Sequence, residues 1–289
     1  MNYRHHFHAG NFADVMKHAL LLQLVRALQK KEKGFLYLDT HAGRGRYDLE
    51  RAATGDTLAR KPEWPEGIGR LSAAEDAPPA LRDYLALVRE YDESRGNLDE
   101  GLRFYPGSPR LAKQLVRPQD RLALCEKHPE ECEALRMEFG AESGVSVHDM
   151  DGYTALRAML PPPERRALIL IDPPFEAQDE FAQIAKGLAE GLRRFPSGVF
   201  AVWYPLTERA RVEEFFMLVR QLRPPPALAC ELEIAGPQSA LKMKGCGLLV
   251  LNPPWQFDRE ALPVLAYLAE KLAQAPGAHG RVEWVVGEK

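Results

Sequence analysis

The stretch FLYLDTHAGRG (Phe35–Gly45) is an apolar run that passes directly into a turn containing two glycines. The letters FLYL carry no charged or amide side chain, which is typical of a strand buried on both faces of a parallel sheet. Glycines in the turn after such a strand let the backbone pass close under a ligand and expose N–H groups to it. Gly43 and Gly45 alone fit a plain tight turn equally well, so the rest of the chain must decide.

Outward from this strand, apolar runs alternate with segments of helical periodicity. The runs are LALCE (Leu122–Glu126), VSVHD (Val145–Asp149), LILID (Leu168–Asp172), GVFAVWY (Gly198–Tyr204), ALACELEIA (227–235) and GCGLLVLN (245–252). Strands that alternate with helices build a parallel sheet covered on both faces. We therefore predict a Rossmann-like, doubly wound α/β sheet in a single domain over residues 1–289.

Apolar residues at helical spacing predict further helices. Residues 14–28 form an amphipathic pattern before the first strand, and residues 81–91 form another after a region rich in glycine and proline. The second helix falls between the first and second strands of the predicted sheet. We expect a mostly helical insertion there, at about residues 50–107.

Composition sets the broad class of the protein. Hydrophobic residues make up 45% and charged residues 27% of the 289, as in an ordinary soluble enzyme. The formal net charge of −3 argues weakly against a nucleic-acid partner, which would need a local basic patch. Four cysteines without a C-x-x-C pair predict reduced thiols, and we find no secretory signal or membrane span. We expect a cytoplasmic protein.

Acidic residues follow several predicted strands, at the edge where doubly wound sheets bind ligands. The two oxygens of Glu126 could hold two ribose hydroxyls, although a strand-end acid is often simply solvated. Asp151 could accept from an adenine amine or could cap the next helix. With the glycine turn, these acids outline a pocket for a nucleoside with a short tail. A dinucleotide site is disfavoured, because Asp48 stands where the third glycine would be and no early acid follows.

Two similar motifs, DPPF (Asp172–Phe175) and NPPW (Asn252–Trp255), each follow an apolar run. Prolines supply no N–H, so their carbonyls are unopposed acceptors. A carboxylate beside a fixed carbonyl makes a clamp for a planar –NH2 group, and an aromatic ring can stack on the base that bears it. The alternative is a rigid turn between a strand and a helix. We predict methyl transfer to a base amine at DPPF, and a structural turn at NPPW, which is remote from the glycine turn.

A set of longer motifs carries a resemblance to a known family. HAGNFADVMKH, LDTHAGRGRYDL, YPGSP, DPPF and WYP occur in that order, and the similarity extends from Asn2 through Pro254. These motifs resemble the RlmJ family of bacterial 23S ribosomal RNA adenine-N6 methyltransferases. The resemblance implies a class I S-adenosylmethionine-dependent methyltransferase fold with an inserted helical subdomain. It also implies S-adenosyl-L-methionine as cofactor and one adenosine of 23S ribosomal RNA as substrate.

The family pattern implies roles for individual residues. The cofactor-binding residues would be His18, His41, Ser108, Glu126, Asp151, Gly152 and Asp172. Asp172 would also be the catalytic acceptor. The substrate-binding residues would be Tyr3, His5 and Lys17 from the N-terminal motif, together with Pro173 and Phe175 from the clamp. The family usually has Tyr where this chain has Phe175, so stacking is retained and a hydroxyl hydrogen bond is lost.

Several alternatives are open to the residues alone. An adenine-N6 DNA methyltransferase would use the same clamp. A nicotinamide-dependent oxidoreductase would have a similar sheet, and an RNA-binding module of this fold would catalyse no reaction. The histidines of YRHHFH (Tyr3–His8) fit a metal site, a disordered tail or an RNA contact, but methyl transfer needs no metal. An adenosine must leave its stack to react, at a cost on the order of a few kcal/mol. We therefore expect protein-free or partly assembled 23S ribosomal RNA as partner, and a monomeric enzyme.

Overall fold

The computed structural model describes residues 5–54, 61–72 and 74–287, and the side chains of all of these except residues 5, 6 and 52–54. In chain order the strands are β1 (Leu36–Asp39), β2 (Arg46–Asp48), β3 (Phe104–Pro106), β4 (Arg121–Glu126), β5 (Val145–Asp149), β6 (Ala167–Ile171), β7 (Val199–Leu206), β8 (Ala227–Glu233), β9 (Gly245–Leu251) and β10 (His279–Val286). The helices are α1 (His5–His8), α2 (Phe12–Gln29), α3 (Leu49–Thr54), α4 (Pro79–Ser94), α5 (Ser108–Leu115), α6 (Pro129–Phe139), α7 (Gly152–Met159), α8 (Glu180–Arg194), α9 (Arg209–Gln221) and α10 (Phe257–Lys271).

The described residues form an eight-stranded central sheet in the order β10-β8-β9-β7-β6-β1-β4-β5. Neighbouring strands from β5 through β1 to β7 are parallel. The chain fills one side of β1 with β4 and β5 and then returns to its other side with β6 and β7. This reversal of strand order opens a crevice at the carboxyl ends of β1 and β6. The predicted doubly wound α/β fold is confirmed.

The last two predicted strands, β8 and β9, depart from the predicted parallel arrangement, and β10 was not predicted from the sequence. β9 lies between β7 and β8 and is antiparallel to both, and β10 is antiparallel to β8. Residues 234–244 join β8 to β9 without a helix, whereas a parallel connection needs a crossover of about a dozen residues or more. Both strands are buried on both faces, so their composition matches that of parallel strands. The apolar pattern alone could not distinguish the two arrangements.

The chain enters and leaves the segment after β1 through a small antiparallel pair. In this pair Arg46 of β2 lies opposite Pro106 of β3, and Asp48 lies opposite Phe104. Between the paired strands lie α3, two short 3-10 turns and α4. That residues 50–107 act as one helical subdomain within a single domain stays a prediction.

Helix α2 is enclosed by the rest of the fold. The Asn11 side chain caps its start by accepting from the N–H groups of Ala13 and Asp14. The helix packs against α4, α5 and α10 and against β6 and β9. It is therefore buried around most of its circumference, including Lys17 and His18. The prediction of an amphipathic helix is wrong in this respect, because neighbouring helices cover the side that would otherwise face water.

Apolar side chains on the two faces of the sheet form two core layers. Along β1, Tyr37 belongs to one layer and Leu36 and Leu38 belong to the other. This double burial holds the strand rigidly, and with it the turn that follows Asp39. Nowhere in the described ranges is a helix long and apolar enough to cross a membrane.

Candidate active site

Two adjoining cavities open at the carboxyl ends of β1, β4 and β6. The first, which we call the α2 cavity, has a volume of about 270 Å³ and is lined by α2, the glycine turn, the start of α5 and the DPPF motif. The second, which we call the β4 cavity, has a volume of about 250 Å³ and lies beside the ends of β4 and β5. His41, Asp172 and Pro174 line both cavities and form the wall between them.

The predicted cofactor residues all line these cavities. His18 and Ser108 line the α2 cavity, Glu126, Asp151 and Gly152 line the β4 cavity, and His41 and Asp172 line both. Of the predicted substrate residues, Lys17, Pro173 and Phe175 line the α2 cavity. His5 lies in α1 but its side chain is outside the described part of the chain, as is the whole of Tyr3. The fold brings the described residues together, and their roles stay predictions.

Asp172 is held by an ion pair that the sequence did not indicate. Lys17 Nζ lies 2.6 Å from Asp172 Oδ2 and 2.8 Å from Asp14 Oδ1. Burial opposes the charge on Lys17, but the two carboxylates outweigh it and raise the Lys17 pKa well above its usual value. Within the described residues, Asp172 Oδ1 makes no hydrogen bond, so this oxygen is the one that can accept from a ligand.

A second carboxylate, Asp39 at the end of β1, is fully buried beside the α2 cavity. Its Oδ2 accepts from the hydroxyls of Tyr37 at 2.7 Å and Ser108 at 2.8 Å. Its Oδ1 accepts from the backbone N–H of His41 at 3.3 Å. Burial raises the Asp39 pKa to about 6, against the effect of the two hydroxyl donors. Asp39 thus connects β1, the glycine turn and the start of α5.

Glu126 is fixed by backbone donors on both carboxylate oxygens. Oε2 accepts from the Gly43 N–H at 2.9 Å, and Oε1 accepts from the His128 N–H at 2.7 Å. Burial raises the Glu126 pKa in spite of these bonds. Each carboxylate oxygen can accept more than one hydrogen bond, so Glu126 retains acceptor capacity for a ligand.

Asp151 and Gly152 join α7 to the end of β1. Asp151 Oδ1 accepts from the Thr154 N–H at 3.0 Å, and Oδ2 lies 3.2 Å from Lys127 Nζ. The capping interpretation of Asp151 is confirmed, and adenine binding stays a prediction. A Cβ atom on Gly152 would stand 2.2 Å from the Thr40 carbonyl oxygen. Glycine is therefore required for the close approach of α7 to the turn.

Two neutral histidines line the α2 cavity. His18 Nδ1 lies 2.8 Å from the Tyr105 hydroxyl, which in turn lies 2.8 Å from the Tyr84 hydroxyl. Burial lowers the pKa of His18 to about 3 and that of His41 to about 4. Both imidazoles are therefore uncharged near neutral pH and act as hydrogen-bonding groups.

The aromatic ring of the DPPF motif is packed edge-on against two other rings. The Phe175 centroid lies 5.6 Å from that of Trp203 and 5.2 Å from that of Phe181. Phe175 has a φ of 51°, in the left-handed region that is costly for a residue with a Cβ atom. The ring contacts help to hold this turn and keep the aromatic side chain in the wall of the α2 cavity.

The NPPW motif lies at the opposite edge of the sheet. Because β9 is antiparallel to β7, Leu251 pairs with Phe200 near the start of β7. Asn252 has a φ of 54°, and its Nδ2 donates to the carbonyl oxygens of Pro196 and Gly198 at 2.8 Å each. Asparagine tolerates this conformation better than most residues. NPPW therefore forms a turn that lines neither cavity, as predicted, and its lack of a catalytic role stays a prediction.

Among the described residues, no cysteine lines either of the two cavities. The four cysteines are buried and unpaired. Across the parts of the chain that are described, no group of three or more His, Cys, Asp or Glu side chains is arranged to hold a metal ion.

Sequence reasoning missed Asp14, Asp39 and Tyr105. Asp14 precedes Lys17 by three residues and His18 by four, so the three share one face of α2. A polar triplet at helical spacing in an apolar helix was a signal that could have identified Asp14. Local sequence offers no such signal for Tyr105, because 87 residues separate it from His18.

A doubly wound sheet with a crevice at its switch point is typical of nucleotide-binding α/β enzymes. Here the DPPF motif and strand-end acids line the crevice and no pyrophosphate fingerprint follows β1. The class is that of the class I S-adenosylmethionine-dependent methyltransferases. A family model described as ribosomal RNA large subunit methyltransferase D, RlmJ matches residues 32–286. The chain belongs to this RlmJ family.

Individual relatives agree with the family assignment. The chain is 40% identical to the ribosomal RNA large subunit methyltransferase J of Escherichia coli and 37% identical to that of Haemophilus influenzae, in both cases over 288 residues and 100% of each chain. A crystal structure of a Legionella pneumophila protein is similar with a TM-score of 0.85 and 37% identity, over 96% of this chain and 98% of that one.

Proposed function

We propose that this chain transfers a methyl group from S-adenosylmethionine to the N6 amine of one adenosine in 23S ribosomal RNA. The observation that carries the proposal is the position of Asp172 and Pro174 in the wall between two ligand-sized cavities. The relatives in E. coli and H. influenzae, which are named as large-subunit ribosomal RNA methyltransferases, support ribosomal RNA as the substrate.

The hydrogen-bond acceptors of the β4 cavity fit the nucleoside part of the cofactor. Glu126 offers two oriented carboxylate oxygens for the ribose hydroxyls, and Asp151 offers an acceptor for the adenine amine. Gly152 completes the wall of this cavity. Ser108, His18 and His41 offer uncharged polar atoms to the methionine part in the α2 cavity. When bound, S-adenosylmethionine supplies an electrophilic methyl group on its sulfonium.

The DPPF motif orients the target amine. Asp172 Oδ1 and the Pro173 carbonyl oxygen accept hydrogen bonds from the two N–H groups of this amine. These bonds localise the lone pair on the nitrogen and aim it at the methyl group of S-adenosylmethionine. Phe175 provides an aromatic surface for the flipped base. Orientation is the larger part of the rate enhancement. Proton acceptance by Asp172 is the second part.

Lys17 has a supporting role in this arrangement. It holds Asp172 through Oδ2 and leaves Oδ1 for the amine, so the carboxylate cannot rotate away from the base. Tyr3 and His5 belong to the same N-terminal motif and would contact the RNA. Because the target adenosine must leave its stack, protein-free or partly assembled RNA is the preferred substrate, met by a monomeric enzyme in the cytoplasm.

Transfer of a labelled methyl group from S-adenosylmethionine tests the proposal. Protein-free 23S ribosomal RNA, assembled large subunits and double-stranded DNA are compared as substrates, and the product is mapped by mass spectrometry of nuclease digests. We expect N6-methyladenosine at one position in the protein-free RNA. Preferential labelling of the DNA would contradict the RNA assignment, and no thermal stabilisation by S-adenosylmethionine would contradict the enzyme class.

Asp172→Asn tests the clamp within the same assay. At saturating cofactor the rate should fall roughly 10²–10⁴-fold, because proton acceptance and one charged hydrogen bond are lost. Asp149→Asn is the matched control, since Asp149 ends strand β5 of the same sheet, is exposed and lines neither cavity. An active Asp172→Asn enzyme would remove Asp172 from the chemistry.

A further inference from the structure

The hydroxyl of Thr40 lies between two hydrogen-bonding partners at the end of β1, the Leu170 carbonyl oxygen and a ring nitrogen of His41. Thr40 is buried, and its Oγ1 lies 2.9 Å from the Leu170 carbonyl oxygen and 2.9 Å from His41 Nδ1. A hydroxyl has a single proton to donate and two lone pairs with which to accept. A carbonyl oxygen can only accept, so the short contact with Leu170 uses the hydroxyl proton. The Thr40 lone pair therefore faces His41.

This arrangement determines the tautomer of His41. Nδ1 can bond to a lone pair only if it carries the proton, so Nε2 of the neutral ring is an acceptor. Burial lowers the His41 pKa to about 4, although the Asp151 charge raises this pKa, and the ring is therefore neutral near pH 7. Within the described residues, Nε2 makes no hydrogen bond of its own. The ring lines both cavities and is held edge-on against Tyr153, with centroids 5.5 Å apart.

The Ser108 side chain also presents a hydrogen-bond acceptor to its cavity, for a similar reason. Its hydroxyl donates to Asp39 Oδ2, a carboxylate that can only accept when it is ionised. Toward the α2 cavity, Ser108 therefore offers lone pairs. Asp39 and Thr40 lie behind the cavity wall. Asp39 thus orients Ser108, and Thr40 orients His41, so that each presents a hydrogen-bond acceptor to the cavity.

We propose that Thr40 is a positioning residue that locks the Nδ1–H tautomer of His41, so that Nε2 accepts a hydrogen bond from the α-ammonium group of S-adenosylmethionine. The inference rests on the proposed cofactor site. Glu126 and Asp151 are proposed to take the ribose hydroxyls and the adenine amine, which leaves the α-ammonium as the cofactor's remaining donor. In the opposite tautomer, His41 would direct an N–H at this cation and repel it.

The tautomer is measurable without any ligand. Nitrogen-15 chemical shifts of a histidine-labelled protein distinguish protonated from unprotonated ring nitrogens, and loss of one signal set in His41→Gln assigns the residue. In the free wild-type protein we expect a protonated Nδ1 and an unprotonated Nε2. A protonated Nε2 in the wild type would overturn the inference, even if the protein binds S-adenosylmethionine normally.

Two variants of Thr40 connect the tautomer to binding. Thr40→Val keeps the shape and removes the hydroxyl, so His41 should populate the Nε2–H form and the affinity for S-adenosylmethionine by calorimetry should fall roughly 10–100-fold. Thr40→Ser restores the hydroxyl and should return both the shifts and the affinity to within about twofold of wild type. A Thr40→Val protein with the wild-type tautomer and affinity would contradict the proposed role of Thr40. If the wild type does not bind S-adenosylmethionine, this result would instead contradict the proposed function.

Discussion

The substitution Lys17→Met keeps the length of a buried side chain and removes the charge that joins Asp14 to Asp172. The Lys17, Asp14 and Asp172 side chains are only 11%, 19% and 18% exposed. Removal of one partner from a buried ion pair costs about 3–5 kcal/mol, because the remaining charge stays buried and unpaired. Since both carboxylates keep some contact with water, we expect the lower end, a loss of about 3 kcal/mol in the free energy of unfolding at neutral pH.

The loss should depend on pH in a defined direction. Burial would raise the Asp14 pKa, but Lys17 and His18 outweigh it and lower this pKa from 3.8 to about 2. A carboxyl whose pKa is lowered by folding stabilises the protein above its unfolded pKa, and this contribution is lost as the pH falls through the folded pKa. The wild type should therefore lose about 2 kcal/mol of stability from Asp14 between about pH 4 and pH 2. Without Lys17 the buried Asp14 carboxyl protonates more readily, so the deficit of the variant should shrink as the pH falls.

Urea unfolding followed by circular dichroism, near neutral pH and near pH 4, measures this deficit. A double-mutant cycle with Asp172→Asn should give a coupling energy of about 1–3 kcal/mol, because the two side chains are in direct contact. Lys33→Met, at an exposed position, is the control for loss of a lysine charge. A Lys17→Met deficit below about 0.5 kcal/mol that does not change with pH would refute the reasoning, because surface substitutions have effects of that size.

The remaining predictions concern the cofactor site and the NPPW turn. Glu126→Ala should weaken S-adenosylmethionine binding by about 1.5–3 kcal/mol in calorimetry, the range for hydrogen bonds to a charged group, and an unchanged affinity would remove Glu126 from the pocket. Asn252→Ala should cost about 1–3 kcal/mol of stability, because it loses two side-chain hydrogen bonds and leaves alanine at a φ of 54°. Its methylation rate at saturating cofactor should stay within a few-fold of wild type, and a folded but inactive variant would move the active site to the other edge of the sheet.

Local patterns in the sequence determined the scaffold. Apolar runs such as Leu168–Asp172 and helical spacing are properties of neighbouring residues, so the doubly wound sheet and the strand-end position of Asp172 followed from them. The separation of DPPF from NPPW followed as well, because position along the chain already distinguished the two motifs. The patterns failed for β8 and β9, where burial on both faces produces the same composition in parallel and antiparallel strands.

The tertiary structure alone decided which side chains of the site form hydrogen bonds and ion pairs with each other. Lys17 and Asp172 are 155 residues apart in the chain, and Thr40 and Leu170 are 130 residues apart. Whether a hydroxyl donates or accepts, and whether a carboxylate is paired, depends on the nearest partner in space after the strands have been set in register. Such a partner leaves no periodic trace in the sequence, because ion pairs and hydrogen bonds act over a few ångströms of space and are indifferent to distance along the chain.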